Sequence, residues 1–382
     1  MKKNILRILA MMSLFFCITA FADEANYSIV VDAGSSGTRM HLFKYTTEEK
    51  IPLISNVFSE AIEPGLSSYE TPEEAAFSLK KLFDDVAQVV KQNNIDPKRV
   101  AVILYGTGGM RLLSSAKQDA IYAEVKKYIE NNYAFPIQDI QTITGEMEGV
   151  YDWLDINYLK NTFQKGEPTV GAIDMGGAST QIVFATHDHT QAGDEINLTI
   201  NGVVYTVYSK SFIGLGQEKA RQSMSTYPLA SACNISGYIP NVNSAFDFST
   251  CNKIYTQILA DYQSQFKLIP FVAGQKFIAY SGVNYVYRFL DVSGANKQNL
   301  EERIHVVCNQ TWDLMQANYP DVNRKYMANY CSNAAYLDRL LYEEYHLQDG
   351  QLEVDDKIDK EEIDWPLGKM VYDLLLKQQR GG

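Results

Sequence analysis

Two short stretches of this chain carry the same arrangement of acidic and very small residues. The first runs Ile29-Val-Val-Asp32-Ala-Gly34-Ser35-Ser36-Gly37-Thr38-Arg39, the second Val170-Gly-Ala-Ile-Asp174-Met-Gly176-Gly177-Ala178-Ser179-Thr180-Gln181. In each, an apolar run ends in Asp-x-Gly, tiny residues follow, and a Thr stands six positions after the Asp before a second apolar run. Small residues between two strands let backbone N–H groups converge on a phosphate that larger side chains would hold off. A carboxylate at the strand end, Asp32 or Asp174, suits a hydrated divalent cation beside those phosphates, because magnesium keeps several waters and takes one or two carboxylates. One copy alone reads equally well as a Gly-rich hairpin. Two matched copies, one per lobe, would clasp a polyphosphate in the cleft between them.

The segment between the copies adds candidates. Val100 to Tyr105 reads as a buried strand that delivers Gly106-Thr107-Gly108-Gly109-Met110-Arg111, a loop of small residues ending in a cation. Arg111 could pair with a phosphate or a cleft carboxylate, or stand solvated at the surface. Ile140 to Ile143 then leads through Gly145 into a helix from Val150 to Leu159, with Glu148 at its start. Acids at helix starts are usually capping and dipole partners, so Glu148 gains weight only from its position between two phosphate loops. Helical spacing also appears over Pro72–Gln92 and Ser114–Asn131.

The 382 residues hold 34 basic and 46 acidic side chains, a formal net charge of −12, which excludes a basic nucleic-acid binder. Hydrophobic content of 46% and the lack of low-complexity tracts exclude disorder. At the N-terminus, Lys2, Lys3 and Arg7 precede an apolar stretch from Ile8 to Thr19 and then Ala20-Phe21-Ala22, the pattern of a cleaved export signal over residues 1–22. The apolar run is shorter than the ~20 residues a span requires. An acidic secreted or periplasmic protein is expected, free of the membrane after cleavage. Cys17 leaves with the signal. Cys233, Cys251, Cys308 and Cys331 remain, and in an exported chain an even number suggests two disulfides. Three connectivities are open; nearest-neighbour pairing, Cys233–Cys251 and Cys308–Cys331, is the one expected. No C-x-x-C element supports structural zinc. Asn26, Asn197, Asn234 and Asn309 head N-x-S/T sequons.

Taken together, these motifs resemble the apyrases, or ecto-nucleoside triphosphate diphosphohydrolases. Asp32-Ala-Gly-Ser-Ser-Gly-Thr, Thr107-Gly-Gly-Met-Arg111, Ile143-Thr-Gly-x-x-Glu148-Gly and Asp174-Met-Gly-Gly-Ala-Ser-Thr-Gln181 resemble the family's first four conserved regions in order, and Asp364-Trp365-Pro-Leu-Gly368 the fifth. Ser211 to Gln217, Ala279 to Gly282 and Asn329 to Ser332 also fit, so the likeness runs from about Tyr27 to Gly368. The exported form looks like the bacterial secreted members.

The resemblance implies an α/β, actin-like fold of two RNase-H-like lobes with the site between them. It implies Mg²⁺- or Ca²⁺-dependent removal of terminal phosphates (Mn²⁺ also being suitable) from nucleoside tri- and diphosphates. By match, Glu148 is the general base, Ser179 and Gln181 position the water, and Asp32 and Asp174 hold the hydrated metal. Ser35, Ser36, Gly37, Thr38, Thr107, Gly176, Gly177 and Ala178 contact phosphates, while Arg111 and Asn157 organise the surroundings of Glu148. Tyr285, Tyr330, Tyr336 and Trp365 are candidates to stack on the nucleobase. Three departures bear on substrate preference: Gly106 and Gly108 where the family usually has Ala, Met147 before the acid, and Pro366 after the tryptophan. Glu146 is a weaker rival for the base.

Such a site hydrolyses directly, because phosphoryl transfer needs positioning and charge neutralisation more than a covalent intermediate. The rivals are an exported exopolyphosphatase-like enzyme and a non-hydrolytic actin-like nucleotide-binding scaffold. The expected organisation, for a monomer, is a first lobe of residues 23–157 plus 365–382 and a second of 158–364. The final segment, Trp365 to Lys377, forms a helix, and the acidic stretch Asp349–Asp364 a solvated connector.

Overall fold

Alternation along the strands builds the molecule in layers. On β1 (Asn26–Ala33), Ile29, Val31 and Ala33 face one apolar cluster while Val30 faces another, so both faces of this sheet are covered. β1 pairs antiparallel with β2 (Thr38–Thr46), and β2 with β3 (Leu53–Ile62). On the other side, β4 (Val100–Gly106) and β5 (Ile137–Thr142) continue in parallel, giving the order β3-β2-β1-β4-β5. The computed structural model describes residues 25–47, 49–186, 194–239, 245–270 and 274–381. The expected leader and Cys17 lie outside the described residues.

The second sheet contains β6 (Gly171–Met175), β7 (Ser179–Thr186), β8 (Glu195–Ile200), β9 (Val203–Ile213), β10 (Phe277–Ser281) and β11 (Leu352–Val354). Its order is β11-β10-β6-β7-β9-β8. Read as β9-β7-β6-β10-β11, it repeats the order and strand directions of the first sheet, with β8 added at the edge. The repeated motif is therefore a repeated lobe, and the fold is the two-lobed actin-like α/β architecture expected from the sequence.

Helices Pro72–Ser78, Lys80–Gln92 and Ser115–Asn132 cover the outer face of the first sheet. The expected single helix over 72–92 breaks at Leu79, and a capping box between Thr71 and Glu74 starts its first piece. Helices Phe248–Ala260, Gly282–Leu290, Lys297–Cys308 and Arg324–Leu337 cover the outer face of the second sheet. The expected disulfides, Cys233–Cys251 and Cys308–Cys331, tie these outer elements together, with Cα atoms 5.0 and 5.6 Å apart.

Between the sheets lie two helices, the central helix Gly145–Leu159 and the C-terminal helix Trp365–Gly381. Val30, Ile103, Ala172, Val183 and Ile278 reach them from the two sheets, and the fully buried Trp153 fills the centre. The central helix, allotted by sequence mostly to the first lobe, packs on β6, β7 and β9 of the second sheet as well as on the C-terminal helix. The stretch expected to be a solvated connector is ordered: β11 extends the second sheet, and a hairpin of Lys357–Ile358 with Glu361–Glu362 leads to the buried Ile363. Pairing with β10 gives Leu352 a core to enter, which the charge pattern alone does not disclose.

Candidate active site

Strand parity aims the two aspartates inward. Asp32 shares a face of β1 with Val30, and Asp174 shares a face of β6 with Ala172, so both carboxylates point into the layer between the sheets. The loops that follow approach each other closely. A Cβ on Gly177 would stand 2.8 Å from Ser35 Oγ, and one on Gly108 would stand 2.8 Å from Ser179 Oγ and 3.1 Å from the Ala178 methyl. The family's usual Ala at position 108 would crowd the opposite loop here, so this departure goes with a tight seam between the lobes.

Glu148 is 5% exposed, in the first turn of a helix whose N-cap, Thr144, accepts a hydrogen bond from the Met147 N–H. It is more than a dipole partner. Arg111 Nη2 forms an ion pair with Glu148 Oε2, and Gln181 Nε2 donates to the same oxygen at 3.0 Å. Gln181 Nε2 also lies 3.2 Å from Ser179 Oγ and 3.0 Å from Ser211 Oγ, and Arg111 Nη1 donates to Ser211 Oγ at 3.3 Å. Ser211 was assigned no role from sequence; it stands within the Ser211–Gln217 motif, and its pairing with Gln181 across β7 and β9 brings it here. Glu146, the rival acid, does not line the cleft; its carbonyl accepts from Ser209 Oγ at 2.7 Å.

Asp32, Asp174, Glu148, Ser35, Ser36, Thr107, Gly176, Gly177, Ala178 and Ser179 line one cleft of about 180 Å³. Gly37 and Thr38 stand behind its wall; Thr38 is fully buried at the start of β2. Arg39, Asp364 and Gln217 line the cleft too; all three stand in the motifs set out above, which by themselves assign them no role. Arg39 lies opposite Asp32 in the β1–β2 register, and Nη1 stands 3.6 Å from Asp32 Oδ2.

Ser36, Arg39, Gln217 and Tyr285 also line an adjoining pocket of about 260 Å³, together with Arg221, Lys325, Tyr326 and Tyr330. Tyr285 thus lines both the cleft and this pocket, and Tyr330 the pocket alone. Tyr330 stacks on Phe289 with ring centroids 4.6 Å apart.

Three sequence assignments are corrected. Tyr336 is fully buried and donates its hydroxyl to the Leu215 carbonyl at 2.5 Å, so it is a core residue with no face for a base. Trp365 begins the C-terminal helix, stacked between Tyr105 and Tyr151; it lines the cleft, as Tyr285 does, but not the adjoining pocket that Tyr285 shares with Tyr330. Asn157 does not reach Glu148. Nine residues further on, about 13 Å along the helix axis, its amide donates to the Trp153 and Val170 carbonyls and accepts from the Val170 N–H, pinning the helix end to the approach to β6.

The charges are crowded. Burial pushes Asp32 up to about 7; the Asp364 charge adds to this and Arg39 opposes it. Burial lifts Glu148 to about 7 against the pull of Arg111 and with the push of Asp174. Asp174 is raised to about 7 by burial, with a Ser281 hydrogen bond opposing and Asp364 and Asp32 adding. For Asp364 burial also acts upward, but the His41 hydrogen bond and charge, then Arg39, outweigh it and hold this carboxyl below its usual value.

This donor set fits a cation held through its waters. Among the described residues no three acidic, His or Cys side chains converge closely enough to ligate an ion directly. Yet Asp174 Oδ1 is buried without a partner, and two lobes present carboxylates that repel one another. Gln181 Oε1 and Arg111 Nε are also buried and unpartnered beside Glu148.

A doubled α/β lobe with a glycine-lined, acid-bearing cleft between its halves defines an actin-like phosphate-handling protein. The model of the GDA1/CD39 (nucleoside phosphatase) family matches residues 19–270 and 265–379, and the chain belongs to this family. It is therefore a hydrolase of nucleotide phosphates rather than a scaffold. "Probable apyrase 5" of Arabidopsis thaliana is 28% identical over 405 residues, covering 91% of this chain and 82% of that one. Rat "Ectonucleoside triphosphate diphosphohydrolase 1" is 28% identical over 97% of this chain and 87% of its own. The guanosine-diphosphatase of Schizosaccharomyces pombe is 35% identical over 54% of this chain and 39% of its own. Among solved structures, nucleoside triphosphate hydrolases from Neospora caninum superpose with a TM-score of 0.62 at 15% identity, covering 93% of each chain. A Ppx/GppA protein of Aquifex aeolicus gives 0.58 at 14%, covering 93% of this chain and 99% of that one. These two likenesses speak to the fold alone.

Proposed function

We propose that the protein removes the terminal phosphate from extracellular nucleoside tri- and diphosphates, down to the monophosphate, by direct in-line attack of water with Glu148 as general base. The observation that carries this reading is the setting of Glu148: a buried carboxylate between two phosphate loops, held by Arg111 and Gln181 and raised to about 7. A base of that pKa takes a proton from water near neutral pH and returns it readily. Ser179 and Gln181, with Ser211 behind them, hold the water, and the unpartnered Gln181 Oε1 is free to accept from it. Ser35, Ser36, Thr107, Gly176, Gly177 and Ala178 form the phosphate cradle, with Gly37 and Thr38 backing it.

Asp32 and Asp174 would hold a hydrated Mg²⁺ or Ca²⁺, with Mn²⁺ as a substitute. When bound, the cation neutralises charge on the transferring phosphoryl group. Arg39 keeps Asp32 partly compensated, and Arg111 keeps Glu148 oriented. Tyr285 and Tyr330 receive the nucleobase. The export pattern and two disulfides support a secreted or periplasmic setting, where the protein would act as a monomer. No described helix is long and apolar enough to cross a membrane.

The test is phosphate release from ATP, ADP, AMP and polyphosphate, with Mg²⁺ and with chelator. Metal-dependent release from ATP and ADP but not AMP is expected. Release from polyphosphate alone would overturn the nucleotide reading in favour of an exopolyphosphatase.

A further inference from the structure

Asp356, Glu362 and Asp364 also line the cleft and have no part in the mechanism above; of these three, Asp364 is the least exposed, held by partners from several elements. Asp364 stands immediately before the C-terminal helix and lines the cleft with Asp32, Asp174 and Glu148. Its Oδ2 lies 3.2 Å from His41 Nε2. On the ring's other side, the Asn56 amide nitrogen lies 3.1 Å from His41 Nδ1. The His41 ring thus bridges the Asn56 amide and the Asp364 carboxylate. His41 is 3% exposed and stacks on Phe43 at 5.5 Å. The backbone is held as well: the Asp364 N–H donates to Asp155 Oδ2 at 2.9 Å. Asp155 is a fully buried acid of the central helix whose other oxygen has no partner.

β2 with β3 and the central helix thus converge on one residue at the start of the C-terminal helix, the first through its side chain and the second through its backbone. Burying an acid such as Asp155 with one hydrogen bond is costly, and a helix start at the surface would not need it. Carboxylates around a metal are themselves oriented by hydrogen bonds from outer residues, the part His41 plays toward Asp364. Asp364 belongs to the wall that also carries Asp32 and Asp174.

We propose that Asp364 is a third carboxylate of the cation site, holding the ion's water shell together with Asp32 and Asp174, and that His41 and Asn56 are positioning residues that aim it. This rests on the reading of Asp32 and Asp174 as holders of a hydrated cation. A purely structural Asp364 would matter for folding but not for cation affinity.

The test is Mn²⁺ binding to the full protein in the presence of a non-hydrolysable ATP analogue, followed by electron paramagnetic resonance, with metal-free thermal unfolding alongside. Asp364→Asn keeps the shape and removes the charge. It is expected to weaken Mn²⁺ binding by about 10- to 100-fold while metal-free unfolding stays near that of the wild type. Asn56→Ala, outside the cleft, should weaken it less but in the same direction. Wild-type Mn²⁺ affinity in Asp364→Asn overturns the proposal. Should that variant not fold, unchanged affinity in both Asn56→Ala and His41→Phe does the same. If the wild type itself binds no Mn²⁺ with the analogue, the underlying cation reading fails instead.

Discussion

Gly368 of the C-terminal helix lies directly against the backbone of Tyr151 on the central helix, so closely that a Cβ would overlap the Tyr151 carbonyl oxygen and stand 3.0 Å from the Asp155 amide. The two helices that separate the lobes therefore meet backbone to backbone. Replacing a helical Gly by Ala ordinarily stabilises by about 1 kcal/mol. Here the sign should reverse, because overpacking costs about 1–3 kcal/mol. Gly368→Ala is expected to unfold at lower urea concentration than the wild type, and a stabilised variant would mean that the crossing can open without cost.

Glu148→Gln keeps the size of the side chain and the contact with Gln181 but cannot accept a proton. Turnover of ATP should fall by roughly 10²–10⁴-fold, with binding of a non-hydrolysable analogue retained. Turnover like that of the wild type would remove Glu148 from the role.

Arg111 opposes the upward push of burial on Glu148. Removing that cation in Arg111→Met should raise the Glu148 pKa beyond about 7 and move the acid limb of the pH–rate profile to higher pH. The comparison of kcat against pH in wild type and variant checks this; an unmoved limb would assign it to another group.

Asp32, Glu148 and Asp174 all have folded-state pKa values near 7, above their ordinary values of 3.8 to 4.5. Carboxyls raised on folding bind protons more tightly in the native state. Their stabilising contribution is complete below about pH 4 and is lost as pH rises through about 7. A divalent cation reverses that loss by replacing the protons. The rise in Tm on adding Mg²⁺ should be larger at pH 8 than at pH 5, read by calorimetry at both pH values with and without chelator.

Two tyrosines that looked alike in sequence should behave differently. Tyr285→Ala should raise KM for ATP at least about fivefold, the lower range for base stacking, and leave inorganic triphosphate unaffected. Tyr336→Ala removes a fully buried ring and its bond to Leu215. It should destabilise the protein by roughly 3–5 kcal/mol, with no selectivity between substrates.

Much of the site was legible because its chemistry is local. A phosphate cradle needs consecutive small residues after a strand, and Asp32 to Thr38 and Asp174 to Gln181 are contiguous. Assignments that depended on distant packing fared differently. Asn157 lies on the same helix as Glu148, but helix rise carries it a cleft's width away, where it serves a chain junction. Trp365 and Tyr336 are aromatic in a chain with 25 tyrosines, and composition does not tell a base platform from a core ring. The cue that could have exposed Arg39 and His41 was parity: they alternate with Met40 and Leu42, on the face that Asp32 shares.

By itself, then, the sequence determined two lobes, two facing phosphate loops and the acid between them, since strand periodicity and loop composition act over a few residues. The tertiary structure alone decided which side chains complete the cleft. His41 and Asp364 are 323 residues apart and meet at 3.2 Å. Ser211 reaches Glu148's partners only through the register of β7 with β9. Register, helix crossing and the closeness of two lobes are set by the packing of whole layers, and no local stretch of chain encodes them.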